Sequence, residues 1–182
     1  MAAMALSVPG SSYRVPFLAR LASAAGLVLF AAMASAQYTP APQAEAPARV
    51  IPHNHIYSET ADPTADIAAA LRQARREHKR VILDFGGDWC GDCQVLDLYF
   101  HQPPNAEILA RHYIVVHVFI GHMDQHVDVA EKYNVPLKKG VPALAVLDAH
   151  GTLLYSQTAG EFERMRSMDP GSVTEFLKRW KA

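Results

Sequence analysis

Val81-Ile82-Leu83-Asp84-Phe85-Gly86-Gly87-Asp88-Trp89-Cys90-Gly91-Asp92-Cys93 is the stretch on which the reading of this chain turns. Val81 to Phe85 is a short, mainly apolar run, the pattern of a strand buried on both faces. Gly86-Gly87 breaks it, and the spacing predicts a helix from Cys90 with Val95, Leu96 and Phe100 on its apolar side. The two cysteines then stand at a strand-to-helix junction and share one helical face. Helical rise and radius place their Cα atoms roughly 5 Å apart, within reach of a disulfide. A loop so short removes little entropy from the unfolded chain. The bond is a poor staple and suits being opened.

Position makes the two thiols unequal. Cys90 lies where free backbone N–H groups and the positive helix end stabilise a thiolate, so it is expected as the exposed nucleophile. Cys93, one turn further in, is expected to be more buried and to resolve. Attack by Cys90 on a client disulfide gives a mixed disulfide, from which Cys93 releases the product. A C-x-x-C pair is also half of a zinc site. There is no second pair, so two further ligands would have to come from the nine histidines. His122 and His126, or His53 and His55, are the groups available, and neither has a sequence reason to converge on Cys90. The expectation is no metal and ordinary structural roles for the histidines.

Downstream, Ala106 to His112 reads as a short helix after Pro103-Pro104, and Ile114 to Ile120 as a second buried strand. Val127 to Tyr133 is helical and Ala143 to Leu147 is a third strand. Asp148-Ala149-His150-Gly151 is turn chemistry, so Thr152 to Ser156 should pair back antiparallel. Ser172 is expected to cap a last helix carrying Phe176, Leu177 and Trp180. Upstream, Asp62-Pro63 is a helix start, and Ile67, Ala70, Leu71 and Ala74 recur on one helical face. Arg72, Arg75, Arg76, Lys79 and Arg80 read as a solvated basic face and helix end. The order predicts an α/β protein, a mixed sheet with helices on both faces.

Composition sets the frame. The chain has 182 residues, half of them apolar and 19% charged, with a formal net charge of −1. That suits one folded domain and gives no basic field for nucleic acid. Residues 1–36 hold Arg14 and Arg20, no acidic residue, an apolar run from Leu21 to Met33 and the small-residue end Ala34-Ser35-Ala36. This predicts a signal peptide cleaved after Ala36, its apolar run being short for a membrane span. The mature protein would be mildly acidic and not inserted in the membrane. Residues 37–49, with Pro40, Pro42 and Pro47, read as a Pro/Ala-rich linker. The folded domain is expected over 50–182.

VILDFGGDWCGDC resembles the second core strand and W-C-x-x-C active site of the thioredoxin superfamily. Gly140-Val141-Pro142-Ala143 resembles its cis-proline loop, and Gly151 and Gly160 fall where that family places glycines. The resemblance covers most of Ala65 to Lys181. It implies the thioredoxin fold, dithiol chemistry and no cofactor. By the same resemblance Cys90 matches the nucleophile, Cys93 the resolving cysteine, and Trp89 the aromatic beside the site. Pro142 matches the cis-proline, leaving the Val141 backbone to pair with an extended client segment. Asp84 matches the buried acid beneath the disulfide, and a desolvated carboxylate there suits a general base for Cys93.

The chain departs from the best-known members at Gly91-Asp92, where many reductases have Gly-Pro. Asp92, read as exposed, is expected to disfavour the Cys90 thiolate, with Asp88 adding to the negative field. A less stabilised thiolate makes a more reducing pair. Gly86 and Gly87 replace larger residues, and Pro136 to Gly140 looks like an insertion. The resulting expectation is an exported, periplasmic, monomeric thiol–disulfide oxidoreductase that reduces client protein disulfides and draws electrons from a membrane-bound donor. The alternative is a thioredoxin-fold copper or cofactor-assembly module in which Cys90, Cys93 and a nearby histidine hold Cu(I).

Overall fold

The computed structural model describes residues 54–182. The expected signal segment, the linker and the domain start at residue 50 lie outside the described residues. Asp62 caps the first helix, α1 (Pro63–Glu77), its carboxylate accepting from the N–H groups of Thr64 at 2.9 Å and Ala65 at 3.2 Å. Proline at the first helical position has no N–H to leave unpaired. Ile67, Ala70 and Ala74 form its buried face, as their spacing requires.

The chain continues through β1 (Arg80–Gly86), α2 (Gly91–Phe100), α3 (Asn105–His112), β2 (Tyr113–Phe119) and α4 (Val127–Lys132). A single 3-10 turn at Leu137–Lys139 fills the stretch read as an insertion, and β3 (Ala143–Leu147) follows. Then come β4 (Leu153–Ser156), a second 3-10 turn at Met165–Ser167, and α5 (Gly171–Trp180). The strands are ordered β2-β1-β3-β4, with β1 parallel to β2 and antiparallel to β3, and β3 antiparallel to β4. The mixed sheet expected from the sequence is what forms, and its helices lie on both faces.

Alternation along β1 sorts its side chains. Val81, Leu83 and Phe85 join the core with Ile67, Ala70, Ala74 and α4. Ile82 joins the opposite core with Leu96, Phe100, Val173 and Leu177 of α2 and α5. Asp84 has the parity of Ile82, so the strand delivers a carboxylate to the α2 side. Direct β1–β2 pairing places His117 beside it, since Asp84 and His117 are register partners. One sequence expectation fails here. Ser172 lies inside α5 rather than at its cap, which falls at Pro170. The Asp169 carboxylate accepts the Gly171 N–H at 2.7 Å and does the local work expected of Ser172.

Candidate active site

β1 ends at Gly86 and α2 begins at Gly91, so the intervening loop sets Cys90 at the helix N-cap. Cys90 and Cys93 are disulfide-bonded with Cα atoms 5.2 Å apart. The Cys93 N–H donates to Cys90 Sγ at 3.1 Å, giving that sulfur a free helix-end donor as well as the dipole. Cys93 is fully buried and Cys90 is 6% exposed. The order of exposure is the expected one, but Cys90 is not the open residue that was anticipated. The Val141 carbonyl oxygen lies 3.6 Å from its sulfur. The Val141–Pro142 peptide is cis. Buried Gln157 holds that loop, its amide nitrogen donating to the Pro142 carbonyl at 3.0 Å and its oxygen accepting from the Leu144 N–H.

Among the described residues Trp89, 43% exposed, is one of two large apolar side chains open to solvent, the other being Met123. Its indole N–H donates to the Gly121 carbonyl at 2.8 Å, and His122 stacks on the ring with centroids 5.6 Å apart. Those two contacts fix the orientation of an otherwise exposed aromatic beside the disulfide.

Asp84 is 2% exposed. Its Oδ2 accepts from the Tyr57 hydroxyl at 2.8 Å and lies 3.0 Å from His117 Nδ1. Its Oδ1 is buried with no hydrogen-bond partner among the described residues. Tyr57, 3% exposed, has its pKa raised well above the ordinary value by burial and by the charge and hydrogen bond of Asp84. It stays a proton-bearing phenol. His117 is pushed down by burial, but its hydrogen bond to Asp84 and the charges of Asp84, Asp97 and Asp88 outweigh this and raise it. Neither residue was singled out from the sequence. His117 did carry a signal, as the one polar side chain in Ile114 to Ile120. Tyr57 precedes every regular element among the described residues and carries none.

Tyr57 arrives on a strap, residues 54–57, that is fastened to the active-site loop. Gln94 on α2 pairs with both backbone groups of Asn54, accepting its N–H at 2.9 Å and donating to its carbonyl at 2.9 Å. Asp88 accepts the N–H groups of Ile56 at 2.9 Å and Tyr57 at 3.0 Å, and meets His55 at 2.9 Å. Burial opposes the Asp88 carboxylate, yet these donors hold its pKa below the usual range. Asp88 therefore fastens the strap, where it had been expected to add to a negative field.

Asp92 departs furthest from expectation. It is 9% exposed, not exposed, and its charge is compensated. Oδ1 accepts the Arg166 backbone N–H at 2.9 Å, while Oδ2 takes the Arg166 Nε at 3.1 Å and lies 3.0 Å from Nη2. A side chain on Gly91 would begin 3.7 Å from the Arg166 side chain, so the guanidinium passes directly over the first turn of α2. The expected negative bias beside Cys90 is thus cancelled by a cation from a loop 74 residues away. Nothing in the sequence joins the two.

Among the described residues no group of three or more His, Cys, Asp or Glu is arranged to hold a metal ion. The histidines near the site have other partners: His55 meets Asp88, His117 meets Asp84, and His122 stacks on Trp89. No helix among the described residues is long and apolar enough to cross a membrane.

Comparison with known proteins agrees with this geometry. Residues 62–149 match the Thioredoxin-like family model. A thioredoxin H-type from Fagopyrum esculentum is 30% identical over 77 residues, covering 42% of this chain. The match spans 59% of that relative's own length. Among solved structures, the disulphide isomerase from Xylella fastidiosa Temecula1 is 31% identical with a TM-score of 0.65. That likeness covers 69% of this chain and 96% of the other.

Proposed function

The chain belongs to the thioredoxin superfamily as a thiol–disulfide oxidoreductase, and on that premise we propose that it is exported and acts, from its reduced form, on disulfides of client proteins. The observation that carries this reading is the cysteine pair at the start of α2, with Cys90 Sγ receiving a helix-end N–H and Cys93 fully buried behind it. Cys90 attacks one sulfur of a client disulfide and joins it, and the client's other sulfur leaves as a thiolate that takes up a proton. Cys93 then loses its proton, attacks Cys90 Sγ, restores the internal disulfide and frees the second client thiol. Two electrons pass to the client. Asp84 serves as the base for Cys93. Trp89 and the Val141–Pro142 loop flank the disulfide and supply the client-facing surface, with Val141 backbone groups pairing to an extended segment.

Reduction and isomerisation of client disulfides both begin with that thiolate attack, so the dithiol is the working form for either. Arg166 removes the electrostatic argument for a strongly reducing pair, because Asp92 no longer stands unpaired beside Cys90. The direction is supported instead by the likeness to the Xylella disulphide isomerase. Export, with the periplasm as destination, rests on the apolar run Leu21 to Met33 and the Ala34-Ser35-Ala36 end. A protein kept reduced in an oxidising compartment needs electrons, so a membrane-bound donor is proposed as its partner.

Insulin-disulfide reduction by the wild-type and Cys90→Ser proteins tests the core of this reading. The wild type is expected to be active and the variant inert. Equal inertness of both would overturn it. The potential measured against glutathione sets the direction, and a strongly oxidising value would assign the protein as an oxidase. Cys93→Ser should accumulate a mixed disulfide through Cys90, from which the client can be identified.

A further inference from the structure

The mechanism needs the proton of a fully buried thiol to leave, and Cys93 has no path to solvent of its own. Gly86 marks the path. A Cβ built on Gly86 would lie 2.6 Å from the Tyr57 hydroxyl and 2.8 Å from Cys93 Sγ. The hydroxyl and the sulfur therefore both pack against the bare backbone of Gly86, and a side chain there would collide with each of them. On its other side the same hydroxyl donates to Asp84 Oδ2 at 2.8 Å, and Oδ2 lies 3.0 Å from His117 Nδ1. The His117 side chain is 27% exposed. It lines a cavity of about 310 Å³ between α2, α3 and β2, together with Asp97, His101 and Tyr113.

We propose that Tyr57, Asp84 and His117 form a proton relay that carries the Cys93 proton from the sheet interior to solvent at the α2–α3 cavity. The inference rests on the dithiol reading above. In one hop the Cys93 proton moves to the Tyr57 oxygen while the Tyr57 proton moves to Asp84. The thiolate so formed attacks Cys90 Sγ. Asp84 hands the proton it received to His117 Nδ1, 3.0 Å away, and His117 gives its outward Nε2 proton to the cavity. One proton enters, one leaves, and Tyr57 ends as it began. The raised pKa of Tyr57 fits this, because the phenol passes a proton without resting as a phenolate. The charged and titratable groups around the relay are Asp84 on β1, His117 on β2, Asp97 on α2 and Asp88 in the loop after β1. Tyr57 exchanges the proton with Cys93 itself, whereas His117 acts through Asp84 and is a positioning residue.

The resolving step can be read without any client. Reduced protein is mixed with Ellman's reagent, and the second thionitrobenzoate is released only when Cys93 attacks the Cys90 mixed disulfide. Tyr57→Phe keeps the buried ring and removes the hydroxyl. It should slow that second release at least tenfold near neutral pH, with the defect closing as alkali takes the Cys93 proton directly. Asp84→Asn should show the same pH profile, and adding Tyr57→Phe to it should change nothing further. His117→Asn, which can donate to Asp84 but cannot titrate, should remove the inflection that His117 gives to wild-type proton release. A Tyr57→Phe profile superimposable on wild type at every pH would overturn the relay and leave the dithiol reading standing. A wild type inert towards insulin, with second-release kinetics that still depend on Tyr57, would sink the client reading and retain the relay. Matching near-ultraviolet circular dichroism of the variants establishes that packing is unchanged.

Discussion

Asp84 and Asp92 lie on either side of Cys90, eight residues apart in sequence, and both are buried, at 2% and 9% exposure. Their partners differ in kind. Asp84 faces a phenol and an imidazole, both of which can exchange a proton, and keeps one oxygen without a partner among the described residues. Asp92 spends both oxygens on Arg166, whose guanidinium does not deprotonate in proteins. One carboxylate is therefore hydrogen-bonded to proton-exchanging groups, and the other is held in an ion pair with a fixed cation. The residue type is identical, and the partner decides the role.

The sharpest way to break that comparison is to neutralise each acid. Asp84→Asn is expected to slow Cys93 resolution by about a hundredfold at neutral pH, while Asp92→Asn leaves it within a few-fold, as read by stopped-flow thionitrobenzoate release. Equal effects would erase the distinction. Stability should rank them the other way. Asp92→Ala leaves the Arg166 backbone N–H without its acceptor and unties a loop from α2, costing about 1–2 kcal/mol in urea unfolding. Arg166→Gln should sharpen the contrast at the redox level. It leaves Asp92 charged beside Cys90, destabilises the thiolate, and moves the equilibrium potential with glutathione to more negative values.

The smallest effect expected is a pH dependence of stability that only the Asp84 side shows. The pKa of His117 is raised in the folded state above its ordinary 6.5, so the fold binds its proton more tightly than the unfolded chain does. The stabilisation is complete below about pH 6.5 and is lost as pH rises through the folded value. Unfolding midpoints of wild type and His117→Asn should differ most in acid and converge in alkali. The Arg166 variant should show no such trend, its group being charged throughout.

Much of this is legible in the sequence alone. The run Val81 to Phe85, the C-x-x-C spacing and the Asp62-Pro63 start are local signals, and local physics was enough to turn them into β1, the disulfide and α1. Asp84 was legible because a charge in an apolar strand is conspicuous. What was not legible came from distant sequence. Asp92 reads as a solvated turn residue until Arg166, 74 positions on, folds over it. Tyr57 belongs to no periodic segment, and its place depends on Asp88 and Gln94 fastening the strap. Ser172 falls inside the helix because Asp169-Pro170 starts it two residues earlier.

The strap also changes where a working protein can be said to begin and end. A recombinant fragment trimmed to start at Asp62, where the first helix is capped, and to stop after β4 would keep every strand of the sheet and both cysteines. It would have discarded Tyr57 at one end and Arg166 at the other. Such a fragment would look complete by its secondary structure, yet each acid beside the disulfide would have lost a partner: its phenol for Asp84, its guanidinium for Asp92.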